Sequence, residues 1–487
     1  MAKPQMFIDG QWCDAEGGTT YAIPNPATEA IIDHAPDASV VDLQRAVAAA
    51  RKAFDDGPWP QSSIADRARA IHRIADAMAR RKEEMRQLLI AEAAATYIEH
   101  GVQVEQPIAL LRACAEQVLR FPFTEELASE ASQGPFGPQM NSGIVYRQPV
   151  GVCGMIPTWN FPVFVAVQKL GPALATGCTM VFKASPYGPL INCFLAELCA
   201  EADLPPGVVN WVTGQSAAIS QALCEDPRVD KISFTGSVQT GKAIMATAAK
   251  TLKRVHLELG GKSVGLYLDT NNAQMQAMTA CGPAMFHAGQ GCAMSTRVLV
   301  PQASHDEFVQ HMVGFVQGMV KVGDPADPTT MLGPVVREER RVKIEEYIAA
   351  GKQQGATLAT GGGRPKGLSK GYFLEPTIFC NVQNDHRIAQ EEIFGPVLAV
   401  IPFKDVDDAV RIANDSTFGL GGGISSSDTA LAVSVAKRLR TGVVWINNGL
   451  LMANAPFGGF KESGIGREGG RWGLEEYTEV QQITWKA

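Results

Sequence analysis

The sequence predicts an α/β protein with two domains, each a mainly parallel sheet covered by helices. Three observations carry this reading. The chain has 487 residues, more than one simple core accommodates, so two or three domains are expected. From residue 151 short apolar runs alternate with helical segments, the pattern of a parallel sheet buried on both faces. After about residue 260 the alternation resumes with different lengths, which marks a second α/β unit.

The elements follow in chain order. The stretch FIDGQWCDAEGGTTYAIPNPATEAII has short apolar runs broken by Gly, Pro and Asn, and reads as hairpins. Residues 40–54 and 64–95 carry helical periodicity with charged faces. Residues 141–149, NSGIVYRQP, alternate polar and apolar and suit an exposed or intersubunit strand. Then GVCGMIP reads as a strand, PVFVAVQKLGPALATG as a helix, TMVFKAS as a strand and LINCFLAELCAEA as a helix. VVNWVTG, KISFTG and RVHLELG are further strands with helices between them. Ligands on such a sheet sit outside the carboxyl ends of the strands. Beyond 260, SVGLYL, TRVLV and VLAVIPF read as strands. HDEFVQHMVGFVQGM, EERRVKIEEYIAAGKQQG and DTALAVSVAKRLRTG read as helices.

Composition excludes several classes of function. The net charge is -7 and no block of Lys and Arg forms a basic stripe, so nucleic acid is not an expected partner. The N-terminus, MAKPQMFIDGQW, has no apolar signal-peptide core, and no apolar run is long enough to cross a bilayer. No membrane association and a cytoplasmic location are expected. The ten cysteines are scattered and form no C-x-x-C pair, which argues for reduced thiols. No close pair of Cys or His has ligand spacing, so no metal is expected.

A dinucleotide signal lies in SFTGSVQTGKAIMATAA (233–249), which runs strand, Gly-rich turn, helix. Gly236 and Gly241 remove side chains where the turn approaches a ligand, and the helix N-terminus offers free N–H groups to a phosphate. The spacing is G-x-x-x-x-G and not G-x-G-x-x-G, so a purely structural turn is an equal alternative. Lys183, at the end of VFKAS, can reach a ribose or phosphate, or simply extend to solvent.

A nucleophile candidate lies in AGQGCAMSTR (288–297), where Cys292 has neighbours of low bulk. A catalytic thiol needs access, thiolate character and partners; a thiol without them is inert. His287 and His256 raise a Cys–His pairing, but no matching Asn/His segment accompanies them. Glu258, in RVHLELGGKS, ends a strand and can activate water at the floor of a cleft, or be an ordinary salt-bridged glutamate. Asn160, in IPTWNFP, can stabilise an oxyanion or cap a turn. Glu392 and Phe394, in QEEIFGPV, can hold a ribose and pack on a nicotinamide, or form a helix-to-turn junction.

Taken in order, TWNFP, KLGPALATG, VFKASP, FTGS-x-x-x-G, ELGGKS, GQGC, EEIFGPV, NDSTFGL and PFGGFKESGIGRE resemble the NAD(P)-dependent aldehyde dehydrogenase superfamily, from about residue 20 to the C-terminus. The resemblance implies a Rossmann-like cofactor domain (1–125 and 148–259) and a second α/β catalytic domain (260–475). It also implies a small β oligomerisation flap (126–147 and 476–487) that builds a homodimer or homotetramer. It makes Cys292 the nucleophile, Glu258 the general base and Asn160 the oxyanion-binding amide. Ile156, Trp159, Lys183, Ser185, Gly236, Ser237, Gly241, Leu259, Glu392 and Phe394 become cofactor-contacting positions. Lys169 and Glu468 match positions sometimes assigned to proton movement. The implied activity is oxidation of an aldehyde to the acid through a cysteine thiohemiacetal and thioester, followed by hydrolysis. A CoA-acylating semialdehyde dehydrogenase and a non-catalytic binding or structural protein are the alternatives on the same fold. Glu258 favours hydrolysis over transfer to CoA.

One departure concerns the cofactor. The family often reads K-P-x-E after the strand lysine, with the glutamate on the adenosine ribose; here the residues are Lys183-Ala184-Ser185-Pro186. NAD is favoured, with NADP or dual use open. The expected substrate tunnel contains Phe161, Val165, Gln168, Gly291, Ala293 and Leu450, and suits an uncharged aliphatic or aromatic aldehyde better than a charged semialdehyde.

Overall fold

Eight strands build the first sheet. Its order is Gly464–Ile465, Arg254–Glu258, Lys231–Thr235, Val152–Ile156, Thr179–Lys183, Val209–Val212, Met6–Ile8, Gln11–Cys13. The central pairs are parallel and both edges are antiparallel. Val152–Ile156 and Thr179–Lys183 are buried along their whole length, because helices cover both faces. Cys153, Met155, Met180 and Phe182 pack into one core with the helices Ile64–Arg80, Gln106–Val118, Pro162–Thr176 and Pro189–Ala200. Val152, Ile156 and Val181 point the other way, into a second core with the helices Val40–Asp55, Ala217–Glu225 and Val238–Ala248. Local chemistry starts these helices where expected. Ser39 accepts from the Asp42 N–H (3.3 Å), and the Asp42 carboxylate accepts from the Ser39 N–H (2.9 Å), a reciprocal cap on Val40–Asp55.

The computed structural model describes residues 4–486; residues 1–3, expected in the first domain, and residue 487, expected in the flap, lie outside the described residues. The second sheet has seven strands in the order Thr357–Thr360, Thr377–Cys380, Val397–Phe403, Arg297–Pro301, Val264–Tyr267, Gly421–Ser425, Val443–Ile446. All its pairs are parallel except the first. Four of these strands escaped the sequence reading. Gly421–Ser425, GGGIS, has almost no side chains from which to read a strand, and Thr357–Thr360 is a short edge with an irregular register. The helical stretch 64–95 is two helices, Ile64–Arg80 and Lys82–Ala93, broken where Arg81 leaves helical geometry.

A third sheet, ordered Thr478–Lys486, Gly137–Pro149, Thr124–Gly134, forms a largely exposed arm. After the second sheet the chain returns to the first. Gly464–Ile465 pairs antiparallel with Arg254–Glu258, and this return delivers Glu468 to the site described below. Among the described residues no helix is long and apolar enough to cross a membrane.

Candidate active site

A cavity of about 670 Å³ opens at the carboxyl ends of the first sheet's strands and reaches the loop before Arg297–Pro301. Asn160, Glu258 and Cys292 all line it, together with Trp159, Gly236, Ser237, Leu259, Glu392 and Phe394. Residues from distant parts of the sequence therefore meet in one space.

Cys292 sits just beyond the short turn Phe286–Gly289. The turn is tightly specified. His287 and Ala288 have φ of 49° and 50°, and Gly289 has 69°. A Cβ on Gly289 would collide with the Gly395 carbonyl, so only glycine fits. The Gln290 side chain then pins the loop, accepting from the Val336 N–H (2.9 Å) and donating to the His287 carbonyl (3.1 Å). His287 is bound to Glu99 through both its ring Nδ1 (3.0 Å) and its backbone N–H (3.1 Å), while its Nε2 has no hydrogen-bond partner among the described residues. Cys292 itself is half-buried. Burial pushes its thiol up to about 12, and the nearby Glu392 and Glu258 push in the same direction. That direction runs against the thiolate character a catalytic cysteine needs.

Asn160 is 2% exposed. Its Nδ2 donates one hydrogen to the Gln290 carbonyl (2.7 Å), and Gln103 donates to the Asn160 carbonyl (3.0 Å). The first contact fixes the side-chain amide and leaves its second N–H uncommitted, while the second holds the Asn160 main-chain carbonyl. Glu258 closes the buried strand Arg254–Glu258 at 3% exposure. Neither carboxylate oxygen has a hydrogen-bond partner among the described residues. Burial first, then Glu468, raises its pKa well above the usual carboxylate range, against the opposing pull of Lys169 and Arg467.

The opposite end of the cavity is built from fixed groups. Ser237 caps the helix Val238–Ala248, accepting from the Thr240 N–H (3.2 Å), and Gly236 N–H donates to the Glu258 carbonyl (3.0 Å). Gly236, Ser237 and Gln239 bring this helix N-terminus to the cavity wall, beside the buried and unpartnered Thr235 hydroxyl. Glu392 accepts from the Gly261 N–H (3.0 Å), and burial raises its carboxyl to about 7. Phe394, at φ 58°, meets Trp159 edge to face at 5.6 Å, and the Arg340 guanidinium lies 5.7 Å from its ring centre. Helix N–H groups for phosphate, a carboxylate for ribose hydroxyls and an aromatic wall fit a dinucleotide.

Four expected cofactor positions are not in the cavity wall. Lys183 is buried and its Nζ donates to the Gly214 carbonyl (2.7 Å); burial lowers its pKa to about 8. Ser185 accepts from the Tyr187 N–H (3.4 Å) in the following turn. Ile156 packs into the core. Gly241 is buried, and a Cβ there would stand 2.7 Å from Leu259. Among the tunnel residues, Leu450 is 86% exposed and its neighbour Leu451 lines the cavity instead. Val102, Phe164, Met294 and Phe457 also form the wall, and no local pattern in the sequence marks them.

A fold of two mainly parallel sheets, with a cysteine loop and a helix N-terminus lining one cavity, suits a dinucleotide-linked oxidoreductase. The model of the aldehyde dehydrogenase family matches residues 12–483. The putative aldehyde dehydrogenase DhaS of Bacillus subtilis is 39% identical over 480 residues, covering 98% of this chain and 95% of that protein. Aldehyde dehydrogenase C (AldC) of Pseudomonas syringae, solved as a cysteine-to-alanine mutant with NAD+ and octanal, superposes with TM-score 0.92 at 37% identity, covering 98% and 96% of the two chains. A Mycobacterium tuberculosis aldehyde dehydrogenase with NAD+ gives TM-score 0.92 at 40% identity, covering 99% and 98%. The chain belongs to the aldehyde dehydrogenase family. It is an NAD(P)-dependent enzyme that oxidises an aldehyde to the carboxylic acid.

Proposed function

We propose that Cys292 is the nucleophile, Asn160 the oxyanion holder and Glu258 the base of this oxidation, and that the substrate is an uncharged hydrophobic aldehyde. The convergence of these three side chains on one cavity is the observation that carries the reading. The Cys292 thiol gives up its proton to solvent, and the sulfur adds to the carbonyl carbon. The free Asn160 N–H and the Cys292 backbone N–H hold the resulting oxyanion. Gly236, Ser237, Glu392 and Phe394 hold the dinucleotide, whose oxidised nicotinamide accepts a hydride when bound. The acyl group then rests on Cys292 as a thioester. Glu258 deprotonates a water, which hydrolyses the thioester and frees the thiol.

The rest of the wall supports the substrate class. Phe161, Phe164, Val165, Met294, Leu451 and Phe457 are apolar, with Gln168 the polar exception. Phe161 stacks on Phe286 at 6.2 Å, which stiffens one side. NAD is the preferred cofactor in this reading. The Asp37 carboxylate, which accepts from the Gln215 N–H (2.9 Å), lies near enough to Lys183 to raise its pKa, and a negative charge there disfavours a 2′-phosphate.

Residues 1–125 and 148–259 serve as the cofactor domain and 260–475 as the catalytic domain, with 126–147 and 476–487 as oligomerisation strands. The arm leaves Phe136, Val480 and Trp485 exposed, a surface suited to a homodimer or homotetramer. A cytoplasmic location accords with free cysteines throughout the described residues. An absorbance assay of apolar, cationic and carboxylated aldehydes against NAD and NADP tests substrate and cofactor together. Each buried methylene is worth about 0.8 kcal/mol, so octanal, with five more, is expected to exceed propanal by up to about 1,000-fold in kcat/KM. A preference for a charged aldehyde overturns the substrate assignment.

A further inference from the structure

Behind Glu258 lies a buried cluster that the reaction as described does not use. His256 and Glu258 are two residues apart on one strand, so both side chains leave the same face. His256 is 1% exposed, and its Nε2 stands 3.5 Å from Glu258 Oε1. Neither atom has another hydrogen-bond partner among the described residues. On the far side of the ring, Nδ1 lies 3.2 Å from Ser233 Oγ and 3.7 Å from Glu468 Oε1. Lys169 Nζ donates to both of those groups, at 3.1 Å and 2.7 Å.

The hydrogen-bond roles follow from this order. The Lys169 ammonium donates to Ser233 Oγ, and the serine hydroxyl hydrogen then has two acceptors in reach, Tyr477 Oη and His256 Nδ1; in the proposed arrangement it points at the second. The imidazole then carries its proton on Nε2, facing the carboxylate. Against an ionised Glu258 the reverse tautomer would set a ring lone pair towards the lone pairs of a buried carboxylate. The other charged or titratable groups that face the pair are Lys169 from Pro162–Thr176, Lys231 from Lys231–Thr235, Arg467 and Glu468 from the returning chain, Glu476 and Tyr477 beyond it, and Cys292 across the cavity. Burial and the three cations lower the His256 pKa well below its usual value, in keeping with a neutral ring.

We propose that His256 is a positioning residue for Glu258: its Nε2–H donates to the carboxylate, holds it at the back of the cavity and favours its ionised form. This rests on Glu258 being the base for thioester hydrolysis. A hydrogen bond to the charged form of a carboxylate lowers its pKa, so loss of the donor raises it.

The experiment is a pH series of the pre-steady-state burst and of acyl release in the full chain, comparing wild type with H256A, H256Q and E258Q. In H256A the acid limb of acyl release is expected to move up by about one pH unit, about tenfold slower release below the limb, while the hydride burst changes less. H256Q retains an N–H donor and is expected to return the limb towards wild type. An unmoved limb in H256A, or an equal shift in both variants, overturns the proposal. Wild-type acyl release in E258Q instead overturns the base assignment. Should H256A not fold, nitrogen-15 histidine spectra of wild type and H256Q decide the matter. A neutral Nε2–H ring between about pH 6 and 8 supports the inference, and an Nδ1–H ring or an imidazolium overturns it.

Discussion

The two ends of the cavity follow opposite plans. At the Gly236–Ser237 end the groups are committed before any ligand arrives: a capped helix, a Gly261 N–H on Glu392 and crossed rings of Trp159 and Phe394. At the Cys292 end hydrogen-bonding capacity is left open among the described residues: Glu258 Oε2, Asn160 Oδ1 and a thiol whose pKa burial raises. Binding a cofactor calls for a shape that does not change. Chemistry calls for groups whose proton or hydrogen bond is still to be made, and burial is what keeps them costly and reactive.

The sharpest way to break this contrast is to remove the sulfur. Cys292→Ala is expected to lower oxidation by more than about 1,000-fold while dinucleotide binding, followed by fluorescence titration, persists. Surviving turnover would place the nucleophile elsewhere. Next in size is the pH dependence of the thiol itself. A pKa raised to about 12 means the thiolate fraction grows about tenfold per pH unit, roughly a thousandfold from pH 7 to 10. Iodoacetamide labelling of Cys292 in the cofactor-free protein, read by peptide mass, is expected to rise without a plateau across that range. A plateau near neutrality would show that the two ends differ less than described.

Asn160→Ala is expected to cost on the order of 100-fold in kcat with little change in the KM for cofactor. Glu392→Gln is the smallest change and belongs to the other end. It weakens one committed hydrogen bond, so the KM for NAD is expected to rise about fivefold with kcat nearly kept. If these two variants exchanged their effects, the division of the cavity into a binding end and a reacting end would fail.

Much of this was legible in the chain. The strands of the first sheet announced themselves because strands buried on both faces are unbroken apolar runs, and Glu258 and Gly236 stand at the ends of two of them. The two-residue spacing of His256 and Glu258 already placed both on one face. Tertiary structure alone decided the rest. Glu468 reaches Lys169 across 299 residues of sequence, a distance no local pattern spans. Lys183 turns to Gly214, and Leu451 takes the place of Leu450, because each depends on which neighbour is present and not on residue type. The raised pKa of the Cys292 thiol is likewise a product of burial and of two carboxylates brought from other segments: sequence supplies the groups, and their spacing in the folded chain sets the energies between them.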